Sequence, residues 1–255
     1  MNEVRAKKYL GQHFLTDETI ARRIVDSLSP ESRHVLEIGP GMGVLTKYLI
    51  ERPDTDFHVV EIDRESVAWL HDYYPTLDIV EDDFLRLDTT ALFHDSYAII
   101  GNFPYNISSQ ILFRVFECRN SVTEVVGMFQ KEVAERVAAG PGNKTYGILS
   151  VLLKAFYDIE YLFTVHEHVF NPPPKVKSAV IRLTRNSVTA LECDEELFVR
   201  VVKAGFNQRR KTLRNALRSA ELPIATVPDE TLAKRAEQLS VEQFINLTKT
   251  IQQCI

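Results

Sequence analysis

The chain has 255 residues, of which 45% are hydrophobic and 25% are charged, as in globular proteins that bury a full core. No apolar run approaches the length of a membrane span, and residues 1–23 are too polar for a signal peptide, so we expect a cytoplasmic rather than a membrane or secreted protein. The three cysteines, Cys118, Cys193 and Cys254, match no metal-binding or redox spacing, so we expect free thiols and no metal centre.

Short β-branched runs alternate with amphipathic segments from about residue 34, which predicts a doubly wound, mainly parallel α/β sheet. The expected strands are residues 35–38, 57–60, 79–80, 97–100, 125–129, 158–165 and 179–183. The expected helices between them include residues 46–50, 66–72, 109–116 and 131–139. No helix-length segment separates the last two strands, which indicates an antiparallel hairpin at the edge of the sheet.

The first strand runs into a glycine-rich turn, Val-Leu-Glu-Ile-Gly-Pro-Gly-Met-Gly, at residues 35–43. Gly39 and Gly41 permit positive φ angles and a close approach of the backbone to a ligand. A dinucleotide fingerprint would have its third glycine at position 44, which is Val44, and no Lys-Ser/Thr pair follows as in a P-loop. The turn therefore indicates a nucleoside ligand without a pyrophosphate cradle.

Acidic residues stand at the ends of the next two strands. Glu61 is placed to accept hydrogen bonds from both hydroxyls of a ribose. Asp83 is placed to accept one from an adenine amine, with Phe84 beside it. Such a pocket favours S-adenosylmethionine over NAD. Glycine turns and strand-end acids also recur for structural reasons, but the ordered set that ends at Asn102 favours a cofactor site.

The fourth strand leads into Gly-Asn-Phe-Pro-Tyr-Asn-Ile-Ser-Ser at residues 101–109. The side-chain oxygen of Asn102 and the carbonyl of Phe103 can accept both N–H groups of an adenine N6 amine, while Tyr105 stacks on the ring and Pro104 sets the turn. Asn is not a useful base, so such a site acts by positioning and electrostatics. The alternative is a strand-ending turn whose Asn caps a helix.

Helical periodicity replaces the strand pattern beyond about residue 187, through residues 195–220 and 229–253, with Pro223 and Pro228 between the two stretches. We therefore expect a larger domain over residues 1–186 and a small helical domain over residues 187–255.

Charge is segregated along the chain, although the net charge is only −5. Residues 54–95 contain twelve acidic and two basic residues, whereas residues 200–218 contain seven basic residues and no acid. A smaller basic group near the N-terminus consists of Arg5, Lys7, Lys8, Arg22 and Arg23. A solvated helix face is the alternative for the larger group, but uncompensated charge favours nucleic acid. The expected RNA-binding residues are Arg200, Lys203, Arg209, Arg210, Lys211, Arg214 and Arg218.

Further segments match one family over nearly the whole chain. They are Lys-Lys-Tyr-Leu-Gly-Gln-His-Phe-Leu (7–15), Phe-Gln-Lys-Glu-Val-Ala-Glu-Arg (129–136), Tyr-Gly-Ile-Leu-Ser-Val (146–151), Phe-Asn-Pro-Pro-Pro-Lys-Val-Lys-Ser-Ala-Val (170–180) and Phe-Asn-Gln-Arg-Arg-Lys-Thr-Leu-Arg-Asn (206–215). With these segments the chain resembles the small-subunit ribosomal RNA adenine N6,N6-dimethyltransferases. The last two are more specific than any general methyltransferase motif.

The resemblance implies a Rossmann-like, class I S-adenosylmethionine-dependent methyltransferase domain followed by a small all-helical RNA-binding domain. It implies dimethylation of N6 of two adjacent adenosines in a hairpin loop near the 3′ end of the small-subunit RNA. The implied partners are the assembling small ribosomal subunit and its RNA. We expect a monomer that needs no metal.

The resemblance also assigns single residues. The matching cofactor positions are Gln12, His13, Leu15, Gly39, Glu61, Asp83 and Asn102. The first three fall where the family closes its N-terminal segment over the cofactor, and His13 stands where Asn is frequent, so a packing or solvated histidine is the alternative. Phe170 matches an aromatic residue on the face of the target base opposite Tyr105, and a core position is the alternative.

Three rival functions remain open on the sequence. An adenine methyltransferase of large-subunit RNA shares the Asn-x-Pro-Tyr site but not the proline-rich stretch or the Gln-Arg-Arg-Lys-Thr-Leu-Arg segment. A DNA adenine methyltransferase is less favoured, because no separate sequence-reading domain is evident. A non-catalytic RNA-binding assembly factor is opposed by the intact Gly39, Glu61, Asp83 and Asn102.

Overall fold

The chain forms two compact units in a computed structural model that describes residues 4–254. The first unit combines the chain up to Ala134 with Ile159–Arg185, and the second combines Glu135–Asp158 with the chain from Asn186 onward. The second unit is larger than the segment 187–255 expected from the sequence, because Glu135–Asp158 folds with the C-terminal helices. Periodicity shows where a helix lies but not which helices it packs against.

A seven-stranded sheet forms the centre of the first unit. The strands of the chain are β1 (Phe14–Leu15), β2 (His34–Ile38), β3 (Asp56–Val60), β4 (Asp78–Val80), β5 (Tyr97–Asn102), β6 (Val122–Gln130), β7 (Tyr157–Val165), β8 (Phe170–Asn171) and β9 (Ser178–Arg185). The order in the sheet is β4-β3-β2-β5-β6-β9-β7. Strands β2 to β6 pair in parallel and β9 pairs antiparallel to β6. The predicted doubly wound sheet is confirmed, and β7 forms its edge.

Two short strands lie outside the main sheet. β1 pairs antiparallel with β8, with Phe14 opposite Asn171 and Leu15 opposite Phe170. The sequence did not indicate this pair, because two-residue strands carry no recognisable alternation. The pairing holds the segment before α1 against the segment that precedes the three prolines.

Helices precede, connect and follow the parallel strands of the first unit. They are α1 (Glu18–Asp26), α2 (Thr46–Leu49), α3 (Arg64–Tyr73), α4 (Ser108–Glu117) and α5 (Lys131–Ala138), which continues into the second unit. The side chain of Asp17 caps α1 by accepting from the N–H of Ile20, and Asp63 caps α3 by accepting from that of Glu65. The α1 helix was not predicted, although its buried face shows helical spacing.

A pair of glycines shapes the loop after β5. Gly101 and Gly127 are neighbours across β5 and β6, and the ring of Phe103 packs on both of them. A Cβ at Gly101 would meet Cε1 of Phe103 at 2.7 Å, so a side chain there would displace the ring. The Phe103 N–H donates to the Met128 carbonyl at 3.1 Å. Both contacts hold the main chain of Phe103 at the start of the loop after β5.

The second unit is helical. It contains α6 (Ile148–Lys154), α7 (Glu195–Asn207), α8 (Leu213–Ser219), α9 (Asp229–Ala233) and α10 (Val241–Gln252), around buried side chains such as Phe198, Leu217 and Phe244. The predicted stretch 195–220 is divided between α7 and α8, and 229–253 between α9 and α10. No helix within residues 4–254 is long and apolar enough to cross a bilayer.

Candidate active site

The loops after β2, β3, β4 and β5 all lie at the carboxyl edge of the sheet, where ligands bind in open α/β folds. They bring Gly39, Glu61, Asp83 and Asn102 to one cleft. The predicted site residues that line this cleft are Gln12, His13, Leu15, Gly39, Gly41, Glu61, Asp83, Asn102, Phe103, Pro104 and Tyr105.

The cleft is negatively charged. Its lining within the described residues includes the carboxyl groups of Glu61 and Asp83 but no Lys or Arg, and a third carboxyl group, that of Glu37, is held in its neutral form by burial. A pyrophosphate ligand would find no cation there, whereas a ligand with positive sulfonium and ammonium groups would find opposite charge. The side chains present therefore fit S-adenosylmethionine better than a dinucleotide.

The glycine turn forms one wall of this cleft and is closely packed. Gly39 and Gly41 have φ angles of 65° and 58°, in the left-handed region that favours glycine. A Cβ at Gly41 would also meet Cε1 of Phe14 at 2.9 Å. Gly41 is therefore required both by its backbone conformation and by the N-terminal segment that packs on it.

Main-chain N–H groups hold the carboxylate of Glu61, whose side chain is buried. Its Oε2 accepts from Gly41 at 3.1 Å, and its Oε1 accepts from Ile62 at 2.9 Å and Asp63 at 2.8 Å. Burial raises the pKa of Glu61, and these hydrogen bonds oppose the rise. A carboxylate has about four acceptor positions, so Oε2 keeps one for a ligand hydroxyl. Pairing with both ribose hydroxyls stays a prediction.

The loop after β4 carries Asp83 on the cleft wall, where its Oδ1 accepts from the N–H of Leu85 at 3.0 Å. Phe84 is buried, being 4% exposed, and Leu85 takes the position on the wall. Phe84 does not line the cleft, because the turn that begins at Asp83 directs the next side chain into the core, and its contact with the cofactor stays a prediction.

Asn102 ends β5 with its amide in a defined orientation. Its Nδ2 donates to the main-chain carbonyl of His13 at 2.9 Å, which leaves Oδ1 to accept from a ligand. Within residues 4–254, no protein donor contacts this Oδ1 or the carbonyl of Phe103. Both acceptors that the sequence predicted for an amine are therefore available at the cleft.

Tyr105 is fixed at both ends of its side chain. Its hydroxyl forms a hydrogen bond with the hydroxyl of Ser178, and its ring lies 5.2 Å from the ring of His13 at an interplanar angle of 31°. Burial raises the pKa of Tyr105, and the bond to Ser178 opposes the rise. A ring held in this way can stack on a base without first losing conformational freedom.

Residues 7–15, the N-terminal strap, are fastened to the loop after β3. The buried carboxylate of Asp63 accepts from Lys7 Nζ and, at 3.2 Å, from Gln12 Nε2. Gln12 Oε1 accepts from the N–H of Lys7 at 2.8 Å, and Lys7 Nζ also lies 3.1 Å from Glu65. Gln12 is therefore engaged by protein groups at both ends of its amide and holds the strap at the cleft.

His13 fastens the strap on the other side. Its Nδ1 lies 2.7 Å from the carbonyl of Pro172. A carbonyl only accepts hydrogen bonds, so Nδ1 must carry the proton. The His13 side chain is thus a hydrogen-bond donor to the protein itself and not merely solvated, which leaves the packing alternative open, and its contact with the cofactor stays a prediction. Leu15 lines the cleft and joins the hydrophobic core.

Phe170 does not line the cleft. Its side chain is 4% exposed and packs in the hydrophobic core with Leu15 and Val169. Its pairing with Leu15 in the β1–β8 ladder turns it toward this core. Stacking of Phe170 on a target base therefore stays a prediction, and it requires the ring to leave the core.

Glu37 was missed by the sequence reasoning. It lies in β2, is 1% exposed and lines the cleft. Burial raises its pKa to about 8, against the opposing hydrogen bond from Thr46 Oγ1, which measures 2.6 Å. The available signal was an acid inside the otherwise apolar strand Val-Leu-Glu-Ile, since buried charges need a special environment.

The predicted RNA-binding residues lie on α7, on α8 and in the turn between them. Arg209 Nε pairs with Glu237 at 2.8 Å and Arg214 Nη2 with Asp229 at 2.6 Å. The exposed members of the set are Arg200, Lys203, Arg210, Lys211 and Arg218. The expectation of seven uncompensated charges needs correction, because Arg209 and Arg214 pair with acids that are distant in the sequence.

Comparison with known proteins agrees with this geometry. Residues 3–253 match the family described as ribosomal RNA adenine dimethylase. The chain belongs to this family. A relative from Cytophaga hutchinsonii, named ribosomal RNA small subunit methyltransferase A, is 59% identical over 98% of this chain and 99% of its own. A relative of the same name from Flavobacterium johnsoniae is 57% identical over 99% and 98%.

Two solved structures share the fold over most of the chain. A dimethyladenosine transferase from Plasmodium falciparum has a TM-score of 0.74 at 25% identity and covers 92% of this chain and 96% of its own. The 23S rRNA methyltransferase ErmE has a TM-score of 0.68 at 25% identity, with 92% and 99% covered. This member of the family is therefore an enzyme that methylates adenine in ribosomal RNA with S-adenosylmethionine as its cofactor.

Proposed function

We propose that this enzyme dimethylates N6 of two adjacent adenosines in the 3′-terminal hairpin loop of small-subunit ribosomal RNA during assembly of the subunit. The observation that carries the chemistry is the pair of acceptors, Asn102 Oδ1 and the Phe103 carbonyl, at the edge of an anionic cleft. The names of the relatives at 59% and 57% identity support the small subunit as substrate.

The cofactor half of the cleft binds through the chain's backbone and carboxylates. Gly39 and Gly41 let the main chain approach the ligand, Glu61 Oε2 accepts from a ribose hydroxyl, and Asp83 accepts from the adenine amine. S-adenosylmethionine, when bound, supplies an electrophilic methyl group. The strap covers this half of the site and excludes water from it.

The substrate half holds an amine in a reactive geometry. Asn102 Oδ1 and the Phe103 carbonyl accept the two N–H groups of the target adenine, and Tyr105 stacks on its ring. This turns the nitrogen lone pair out of conjugation with the ring, and the proton leaves to water because Asn102, the side chain that holds the amine, is not a useful base. After one methylation a single N–H remains, so the same acceptors must hold a bulkier amine for the second round.

The exposed basic residues of α7, of α8 and of the turn between them are proposed to contact RNA phosphates, which would make the second unit the RNA-binding domain and the first unit the catalytic domain. We also propose that the protein acts as a cytoplasmic monomer. Assembling ribosomal subunits are cytoplasmic in bacteria, and one copy of the first unit contains all the cleft residues described above.

A large-subunit RNA methyltransferase is the second candidate. The structure of ErmE is 25% identical to this chain, the same value as for the dimethyladenosine transferase, so the fold alone does not separate the two substrates. The relatives from Cytophaga hutchinsonii and Flavobacterium johnsoniae are more than twice as similar, and both carry the small-subunit name.

Transfer of labelled methyl from S-adenosylmethionine to unmethylated small subunits tests the proposal, with large-subunit RNA and duplex DNA in parallel. We expect dimethyladenosine in the small-subunit 3′ hairpin. The Asn102→Ala variant should lose about 100-fold or more in single-turnover rate while still binding the cofactor, and Asn120→Ala, on the exposed surface, should match the wild type. Label only in large-subunit RNA would reassign the substrate, and an active Asn102→Ala variant would contradict the assigned role.

A further inference from the structure

Tyr9 is the most exposed large hydrophobic side chain within residues 4–254, with 76% of its surface accessible. It belongs to the strap, in a short 3-10 helix over Lys8–Leu10, and the next residue, Leu10, already lines the cleft. Tyr9 therefore lies at the rim of the active site. Packing within the folded chain does not account for an aromatic side chain that is so exposed.

The main chain of Tyr9 is held against the loop after β5, which carries Tyr105. The Tyr9 carbonyl accepts from Asn106 Nδ2 at 3.3 Å, and Asn106 follows Tyr105 directly. Gly11 has a φ of 67°, and a Cβ there would meet Asn106 Oδ1 at 2.5 Å. The strap therefore touches the loop after β5 so closely that only glycine fits at position 11, and the backbone of Tyr9 lies against Asn106, the residue that follows Tyr105.

Charges around the rim favour an approach of RNA from the side of Tyr9. Arg5 and Lys8, on either side of the anchored Lys7, are exposed. The cofactor side carries the exposed acids Glu81 and Asp82 in the loop after β4, and Glu65 in the first turn of α3, where it also pairs with Lys7. A polyanion is attracted to the first group and repelled by the second.

A base that enters the cleft leaves its neighbour unstacked. Enzymes that act on a base take it out of the stack, and unstacked RNA bases are commonly held on aromatic side chains. We propose that Tyr9 is a stacking platform for the base adjacent to the target adenosine. This inference rests on the proposed function, in which that neighbour is itself an adenosine awaiting methylation.

The kinetic test uses full-length variants and unmethylated small subunits. Tyr9→Ala should raise KM for the subunit about fivefold to a hundredfold, the range for loss of one base–aromatic stack, with cofactor affinity unchanged. Tyr9→Phe should resemble the wild type, because stacking needs the ring and not the hydroxyl. Tyr9→Leu should resemble Tyr9→Ala, and Tyr161→Ala, which removes an exposed tyrosine from β7, should have no effect.

A second readout does not depend on turnover. With 2-aminopurine in place of the neighbouring base, unstacking raises the fluorescence and stacking on Tyr9 quenches it, so the Tyr9→Ala complex should be brighter than the wild-type complex. A KM within twofold of the wild type for Tyr9→Ala, equal fluorescence of the two complexes, or an equal loss of cofactor affinity would overturn the inference. If the wild type does not methylate small subunits at all, the proposed function fails instead.

Discussion

The amide of Asn102 owes its orientation to a residue far away in the sequence. Its Nδ2 donates to the carbonyl of His13, and His13 is itself held by the bond from Nδ1 to the carbonyl of Pro172. The three residues form a chain of contacts from the proline-rich segment through the strap to the catalytic amide. His13 is thus a positioning residue whose side chain fixes the acceptor that Asn102 presents.

Substitutions of His13 test this chain of contacts. Asn places an N–H donor at nearly the position of the histidine Nδ1, so His13→Asn should keep a single-turnover rate within about twofold of the wild type. The side chain in His13→Asp has no donor when ionised. His13→Asp and His13→Ala should each lower the single-turnover rate about tenfold, which is less than the 100-fold or more expected for loss of a direct contact. Equal rates for His13→Ala and the wild type would show that Asn102 needs no such support.

The raised pKa of Glu37 predicts that the stability of the protein depends on pH. Its pKa of about 8 in the folded protein lies above the ordinary value of 4.5, so the folded state binds the proton more tightly than the unfolded state. The resulting stabilisation is complete below about pH 4.5 and decreases as the pH rises toward 8, by at most about 1.4 kcal/mol per pH unit.

The Glu37→Gln variant isolates this effect. Gln cannot titrate but can still accept from Thr46, so the free energy of unfolding should fall less between pH 5.5 and pH 8 than in the wild type, by a difference on the order of 1–3 kcal/mol. Urea unfolding of both proteins without cofactor at the two pH values measures it. Parallel pH dependences would mean that Glu37 ionises normally in the folded protein.

At the scale of elements, the strap depends on one buried carboxylate. Burial alone would raise the pKa of Asp63, but the hydrogen bonds from Lys7 and Gln12 outweigh this and lower it. Asp63 also accepts from Ser66 Oγ at 3.1 Å and caps α3. A single side chain therefore joins the strap, the loop after β3 and the first turn of a helix.

Removal of the cation should release the strap. Lys7→Met keeps the apolar stem but leaves Asp63 buried without its partner, so we expect S-adenosylmethionine to dissociate at least about fivefold faster, a change of about 1 kcal/mol. Stopped-flow displacement of the cofactor measures the rate. Lys8→Met, a change of the exposed neighbour, is the matched control, and equal dissociation rates for the two variants would contradict a fastening role.

Strands that show the same hydrophobic pattern over several residues could be predicted from the sequence. The parallel strands β2, β3 and β5 are mainly apolar, as is typical of strands covered on both faces, and their predicted positions are confirmed. The α1 helix, the β1–β8 pair and the grouping of Glu135–Asp158 with the C-terminal helices were not predicted. Each of these depends on packing partners that are distant in the sequence.

At the scale of the whole molecule, opposite charges occupy different parts of the chain. Residues 54–95, which include the loops after β3 and β4, carry twelve acids. The exposed bases of residues 200–218 belong to the second unit. This distribution explains how a protein with a net charge of −5 can bind a polyanion at selected surfaces.

Charge reversal in the second unit tests the RNA-binding surface. Arg210→Glu combined with Lys211→Glu should weaken binding to small subunits about tenfold or more and lower the slope of log affinity against log salt by about two. Lys234→Glu with Arg235→Glu reverses another adjacent basic pair of the same unit and should have a smaller effect. Affinity of the first double variant that matches the wild type across a salt titration would exclude this surface.

The sequence by itself determined the fold class and the order of the strand ends. Because parallel strands end at one edge of the sheet, this order alone brings Gly39, Glu61, Asp83 and Asn102 to one cleft. Only the tertiary structure decided that Phe84 and Phe170 are buried and that distant acids pair with Arg209 and Arg214. Only the tertiary structure showed that the main-chain carbonyl of His13 orients the side-chain amide of Asn102. The physical reason is that strand and turn patterns arise between near neighbours, whereas burial, ion pairs and side-chain orientation depend on which distant segments pack together.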